Sequence, residues 1–460
     1  MPKPKSGARS SFGVKLAQRF GWGLGDQAVS SLGNATLSFY VARELGPAQF
    51  GAFSIAYVTY SFALNASRGL STEPLLVRYS NAKLPEWRWA VSRSGGTATV
   101  AGLAMGICAL VAGVLLNRSL GLGFIALGLG LPGLMLQDSW RYAFFALGRG
   151  GQSFLNDTIW TVAMAAAVVG LHVTHRNTVF WFVLVWGMTG TLAACVGPLQ
   201  SRVIPNPFRA EEWVTRHSDL GVRFLAENAA NSGATQLRTY CIGGIAGLAT
   251  VGDVQAAGLL MGPFLVVFMG ISIVTVPEAA RILRNSPHHL RRYCLLVGGI
   301  LAGACGLWGI ALLVAIPRGL GPLLLGPQLW HPAYLLVIPY TITVMGSCLT
   351  DGAQAGLHAL GAARRSMRSM IFSSALYLGL GVAGAYLDGA AGTVWGAAIA
   401  TWVGATLWWT QLNTALQEYS ARSSRAAGRH RKPGQLLSEP QSRPAIQPNP
   451  GEASVVMDPG

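Results

Sequence analysis

Twelve apolar stretches, each long enough to cross a bilayer, occupy the chain from about residue 25 to about residue 417. A hydrocarbon core takes about 20 apolar residues per helix. Backbone groups in lipid need partners within the chain, so such a sequence folds as a bundle of membrane helices. Only 11% of the residues are charged and 51% are hydrophobic, where a soluble domain carries roughly a quarter charged residues. The spans are expected at about 25–43, 52–78, 94–116, 119–146, 155–173, 178–200, 219–247, 254–281, 293–316, 332–361, 368–387 and 391–417.

The cationic residues fix the expected orientation. With the N-terminus inside, only Arg43, Arg118, Arg176 and Arg318 of the 34 Lys and Arg fall in outside loops. Arg68, Arg141 and Arg238 lie within spans, and all the others lie at inside segments or the termini. Basic residues collect on the cytoplasmic side, which predicts a multi-pass protein with both ends cytoplasmic. The net charge of +16 is thereby accounted for by an anionic leaflet, with no nucleic acid as partner.

The two halves repeat in parallel. Thr72-Glu73-Pro74 with Arg78 matches Thr275-Val276-Pro277 with Arg281, displaced by 203. Asp138, Ala146-Leu147-Gly148 and Ser153 match Asp351, Ala359-Leu360-Gly361 and Ser366, displaced by 213. Asp26, Ser30 and Asn34 face Glu227, Asn231 and Thr235, displaced by 201. The expected fold class is therefore all-α, a polytopic membrane protein of 12 transmembrane helices, arranged as two six-helix bundles around a central cavity. Its divisions are a basic cytoplasmic N-terminal segment at 1–20, one bundle at 21–200, a cytoplasmic linker at 201–218, a second bundle at 219–417 and a disordered tail at 418–460. Residues 1–20 read either as an amphipathic surface helix or as a frayed terminus. Repeats of this kind place a substrate site between the halves.

Polar residues recur at helical spacing within several spans. Span one carries Asp26, Ser30, Asn34 and Ser38; span two Tyr57, Ser61, Asn65, Arg68 and Thr72; span seven Glu227, Asn231, Thr235 and Arg238. Steps of three and four set each group on one face, and a polar face needs water or another polar face. An arginine near mid-bilayer costs about 2.5–3.5 kcal/mol even on lenient insertion scales. Arg68, Arg141 and Arg238, with Asn65, Asn34 and Asn231, are the candidate substrate contacts. Guanidinium stays charged and donates in a fork that suits phosphate, so an anionic ligand is expected. For Arg141 a structural pair with Asp138, three residues away, stands beside that reading. Asp26 and Glu227 read either as a coupling site for a proton or cation or as an inner gate salt bridge.

Other patterns carry less. The cysteines (Cys108, Cys195, Cys241, Cys294, Cys305, Cys348) form no C-x-x-C pair, so neither a disulfide framework nor a zinc site is implied; no metal and no cofactor is expected. Gly148-Arg149-Gly150-Gly151-Gln152-Ser153 is glycine-rich but lacks the lysine of a P-loop. Trp87, Trp89, Trp330, Trp408 and Trp409 near span ends are expected as interface anchors.

The stretch Leu45-Gly46-Pro47-Ala48-Gln49-Phe50-Gly51-Ala52-Phe53 resembles the polysaccharide (Wzx-type) flippases of the multidrug/oligosaccharidyl-lipid/polysaccharide exporter (MOP) superfamily. So do Leu324-Leu325-Gly326-Pro327-Gln328-Leu329-Trp330 and the proline–arginine pairs at Pro74 and Pro277. The resemblance implies two bundles around a V-shaped cavity lined by helices one and seven. It also implies export of a lipid-linked oligosaccharide across the bacterial cytoplasmic membrane, for surface polysaccharide biosynthesis, with cavity arginines holding the diphosphate. The expected partners are that polyprenyl-diphosphate substrate, membrane lipids and other polysaccharide-assembly proteins. A multidrug-type exporter of the same superfamily is the alternative, followed by a membrane glycosyltransferase or polymerase and by a scaffold. The chain has neither the large outside loops nor the outside acid pair an enzyme would need, so a transporter and not an enzyme is expected.

Overall fold

The structure, a computed structural model, describes the backbone of residues 6–430 apart from 81 and 117. Side chains are described from residue 21 to residue 421, apart from those at 24, 81, 117, 118, 230, 231 and 273. The expectations for residues 1–5 and for the tail beyond residue 430 lie outside the described residues. Helices account for nearly all of the described chain. They are α1 (Ser6–Glu44), α2 (Pro47–Ser67), α3 (Glu73–Tyr79), α4 (Leu84–Leu115), α5 (Arg118–Ala146), α6 (Gly150–Val173) and α7 (Val179–Ser201) in the first half. The short α8 (Ala210–Arg216) follows, then α9 (Ser218–Ile245), α10 (Leu248–Asn285), α11 (Leu290–Ala315), α12 (Gly321–Leu335), α13 (Val337–Ala359) and α14 (Ala363–His430).

These map onto the twelve expected spans. A π-helical turn at Arg68–Thr72 joins α2 to α3 in one membrane-length rod. Pro74 explains the loosened turn, because it has no N–H to return to the preceding turn. The helix α14 breaks at Asp388 and Gly389, where Gly389 takes a φ of 50°, and so supplies two spans. Among the described residues, seven helical stretches are long and apolar enough to cross a membrane by composition alone. The rods that fall short are α1, α2–α3, α9 and α13. The first three carry the polar stripes of spans one, two and seven, and α13 carries Asp351. Residues 6–20 continue α1 as helix. The chain from Leu416 onward forms a unit of its own, helical as far as His430.

Trp87 and Trp408 are core residues and not interface anchors, exposed only 1% and 2%. The Trp87 Nε1–H donates to the Ala143 carbonyl at 2.9 Å. An apolar cluster of Leu75, Trp87, Trp140, Phe144 and Trp213 fastens α8 to the first-half helices at their arginine-rich end. The sequence offered no membrane-length run for α8 or α12, which are packing elements of the loops.

The halves meet in two ways. At the end opposite the basic loops, α2 crosses α10 through Gly51 and Gly252. A Cβ on Gly51 would strike the Leu248 carbonyl, and one on Gly252 would strike the Pro47 carbonyl. The contact is reciprocal: 47 meets 252 and 51 meets 248, the same displacement of 201 that relates spans one and seven in sequence. Beside it, α12 packs on α1, and Arg43 Nη1 donates to the Leu323 carbonyl at 3.4 Å. The two stretches that resemble flippases thus lie together at this end.

Along the rest of the boundary, α2–α3 runs beside α9 as a hydrogen-bonded seam. Tyr240 donates to Thr59 Oγ1 at 2.9 Å, Asn65 Nδ2 to Ser232 Oγ at 3.0 Å, and Asn228 Nδ2 to Glu73 Oε1 at 3.1 Å. Arg78 closes the seam on Asp219 at 2.6 Å. Among the described residues, no hydrogen bond joins the pseudo-symmetric pair α1 and α10.

His217 sits at the foot of this seam, stacked on Trp213 with ring centroids 4.0 Å apart. Its Nδ1 donates to the Trp213 carbonyl at 2.9 Å. Burial pushes the imidazole below its ordinary value of 6.5, helped by the charges of Arg78 and Arg216. Since the folded value is depressed, the stabilising contribution is complete above about pH 6.5 and is lost as pH falls through the folded value. Acidification from pH 7.5 to 5 should therefore lower the thermal midpoint of the detergent-purified protein, and His217→Gln should flatten that dependence. Gly51→Ala and Gly252→Ala should each cost about 1–3 kcal/mol by overpacking. Gly262→Ala, with no atom within 4 Å of the added methyl, should not lower the midpoint in the same assay.

Candidate functional site

Two of the three membrane arginines are committed to partners in the first half. Arg68, presented at the π-turn, donates to Asp138 through Nε at 2.9 Å and Nη2 at 2.6 Å. Arg141, one turn along α5 from Asp138, turns instead to α1, where its Nε and Nη2 reach Asp26 Oδ2 at 3.1 and 2.8 Å. Its Nε also lies 3.3 Å from Asp157 Oδ2 on α6, and its Nη1 lies 3.8 Å from Asp138. Ser153 donates to Asp26 Oδ1 at 2.9 Å and Gln137 Nε2 to Asp157 Oδ1 at 2.6 Å. Two guanidinia and three carboxylates from four rods form one buried cluster, with Asp26 and Asp157 both 0% exposed. The expected Asp138–Arg141 contact is present, but the forked bond of Asp138 goes to Arg68.

The second half is built differently. Arg238 projects from α9 and is 6% exposed, and its Nη1 is buried with no hydrogen-bond partner. No carboxylate lies within ion-pair distance of it among the described residues. Its guanidinium lies over the Tyr377 ring, 4.4 Å from the centroid. Gly381 makes room for the side chain: a methyl there would stand 2.7 Å from Arg238 Cδ. Arg238 faces a cavity of about 460 Å³ whose lining includes Tyr340, Ser347, Asp351, Ser373 and Tyr377, all from the second half. Lining residues on α13 run from Tyr340 to Gln354, a helical rise of about 21 Å. The cavity is thus a tall slot of mixed polar and apolar lining inside one bundle, where the sequence led to an expectation between bundles. Asp351 is bonded at 3.1 Å by Ser272 of α10, in the position where its repeat partner Asp138 is bonded by Arg68.

The remaining candidates separate. Asn34 is used locally, donating to the Ser30 carbonyl at 3.0 Å and accepting from Trp186 Nε1 at 3.2 Å. Asn65 belongs to the inter-half seam. Glu227 is exposed on α9. The side chain of Asn231 lies outside the described residues. The sequence reading missed Asp157, Gln137 and Tyr377. An acid inside an apolar span signals function by default, and Asp157 in span five carried that signal.

No protein-family model matches the chain, and no curated protein matches it in sequence. Its fold is similar to that of solved membrane transporters. A multidrug resistance MATE family transporter of the MOP superfamily, in an inward-facing conformation, superimposes with a TM-score of 0.64 at 14% identity, over 85% of this chain and 96% of that one. The lipid II flippase MurJ in an inward closed conformation matches with a TM-score of 0.64 at 9% identity, over 86% and 89%. A MATE protein in a straight conformation matches with a TM-score of 0.55 at 14% identity, over 86% and 94%. The fold is shared with these solved transporters.

A buried ion pair stripped of one partner leaves an uncompensated charge and costs about 3–5 kcal/mol. Asp138→Ala should therefore destabilise the protein by that order. Arg68→Met combined with Asp138→Leu should cost clearly less than the sum of the single substitutions. Thermal unfolding of the wild type, Arg68→Met, Asp138→Leu and the double variant in one detergent measures the coupling.

Proposed function

We propose that the protein is a flippase that exports a lipid-linked oligosaccharide, a polyprenyl diphosphate bearing a glycan, across the bacterial cytoplasmic membrane by alternating access. Both termini are cytoplasmic in this reading, and the product serves surface polysaccharide biosynthesis. The supporting observation is Arg238, a buried guanidinium with no carboxylate within ion-pair distance among the described residues, facing a cavity of about 460 Å³. Pockets for small ligands span about 300–1,000 Å³, so the space suits a diphosphate and its first sugar. Neither the Tyr340 nor the Tyr377 hydroxyl bonds within the protein among the described residues, which leaves both to donate to an anion. Desolvated and unpaired, Arg238 gains most from a ligand that supplies negative charge. Arg68 and Arg141 serve the carboxylate cluster instead.

That cluster holds three acids against two guanidinia. A spare buried carboxylate charge is costly unless a proton or cation joins it, and Asp157 Oδ2, buried without a hydrogen-bond partner, is the atom placed to meet it. The lipid tail stays in the bilayer and enters between α1 and α10, which share no hydrogen bond among the described residues, while the α2–α9 seam remains joined. A multidrug-type exporter is the second reading, favoured by the likeness to a multidrug resistance transporter and by these buried acids.

Reconstituted vesicles separate the readings. The wild type should move a labelled polyprenyl-diphosphate saccharide between leaflets without altering it, and should not extrude a cationic dye. Arg238→Gln, present at normal folded level, should slow lipid movement at least tenfold, consistent with loss of a charge-assisted bond of about 1.5–3 kcal/mol. Unchanged lipid movement in that variant, or dye efflux without lipid movement, would remove the anion-cavity reading. Dissipating the transmembrane proton and sodium gradients should slow the wild type and leave Asp157→Asn unaffected.

A further inference from the structure

A second cavity, of about 400 Å³, opens at the arginine-rich end of the first half. Arg88 of α4, Arg149 at the start of α6 and Arg202 just past the end of α7 all line it. None of the three has a carboxylate within ion-pair distance among the described residues, although Arg68, Arg78, Arg93, Arg141, Arg209 and Arg281 all do. The three arginines are exposed and line one small volume, so an anion between them gains from all three charges. The glycine-rich stretch rejected above as a P-loop supplies one wall. It turns through Gly148, at a φ of 73°, and delivers Arg149 and Gln152 to the cavity as the 24-residue α6 begins. The positive end of that helix adds to the same field.

Two amides complete the lining. Gln200 spends its Oε1 on Asn156 Nδ2 at 3.0 Å, which leaves its buried Nε2 without an acceptor. Gln152 Oε1 is likewise buried without a donor, and a half-turn of that amide offers its Nε2 in the same place. The donors therefore outnumber the acceptors around the space. From Gln200 the bonds run inward through Asn156 and Gln137 to Asp157, the edge of the buried cluster.

We propose that Arg88, Arg149 and Arg202 form a binding site for a phosphate group borne by a lipid headgroup at the adjoining leaflet. This inference is separate from the assignment of Arg238, since the two cavities share no residue. The site lies at the level of the cytoplasmic headgroups in the expected topology. Its hydrogen-bonded link to Asp157 lets occupancy of the headgroup site bear on the charge cluster.

The full chain in detergent can be titrated with dioctanoyl phosphatidylglycerol, dioctanoyl phosphatidylcholine and inorganic pyrophosphate, with binding read by microscale thermophoresis. Phosphatidylglycerol should bind at least tenfold tighter than phosphatidylcholine. Arg88→Gln and Arg149→Gln should each weaken it about tenfold, the size expected for one charge-assisted bond. Arg202→Gly should do the same without a folding defect, because Arg202 adopts a left-handed conformation, φ 55°, that suits glycine. Arg238→Gln should leave this affinity unchanged whatever it does to transport. Pyrophosphate binding with the same arginine dependence would keep the phosphate chemistry and assign it a soluble source. Phosphatidylglycerol affinity that persists in the Arg149→Gln and Arg202→Gly proteins would overturn the proposal. So would absence of both affinities in the wild type, or pyrophosphate affinity that persists when either substitution is combined with Arg238→Gln.

Discussion

A guanidinium inside a membrane protein must find negative charge, and the two halves of this molecule meet that demand differently. Arg68 and Arg141 find it in Asp138, Asp26 and Asp157. Arg238 finds none among the described residues and rests on the face of Tyr377 beside a cavity. Replacing a buried pair by apolar residues is often neutral or stabilising, so the first-half cluster is poorly explained as a device for stability. Its three acids on three rods set the rotation of α1, α5 and α6 about their axes and leave a carboxylate in excess. The second half instead leaves Arg238 and Asp351 on one cavity without an ion pair between them.

The difference is written on a shared frame. Asp138 and Asp351 occupy corresponding places, and each is bonded by the neighbouring even-numbered rod, Arg68 in one case and Ser272 in the other. Applying the sequence displacements, the place of Arg68 is taken by Ile271 in the second half, and the place of Arg238 is taken by Leu37 in the first. Each bundle has therefore kept one charged position that the other has made apolar. The backbone relation survives where side chains cannot obscure it, in the reciprocal crossing of Gly51 and Gly252.

The order of the helices was legible because apolar runs mark spans in lipid, most strongly in the seven stretches that meet that measure by composition. Arg238 was legible for the same reason: a charge with no partner on its own helix stands out against an apolar run. The partners of Arg68 and Arg141 were not legible, since a pair between two rods depends on how each is rotated about its axis. Spacing along one chain does not carry that rotation. Spacing sets a pair with Asp138 beside a ligand contact for Arg141, because the two are neighbours on one helix, whereas the fold gives the forked bond of Asp138 to Arg68, 70 positions away. The fate of Trp87 was hidden likewise, because α8, too short to register as a span, helps cover it.

The glycine crossing has a mechanical consequence. Two backbones touching at a pair of residues without side chains have almost nothing to repack when one turns on the other, so the joint behaves as a fulcrum. Because it sits at one extremity of long rods, a slight tilt there becomes a wide sweep at the far extremity. Bulk added at the joint would stiffen the whole lever, even though the joint lines neither of the two arginine-bearing cavities.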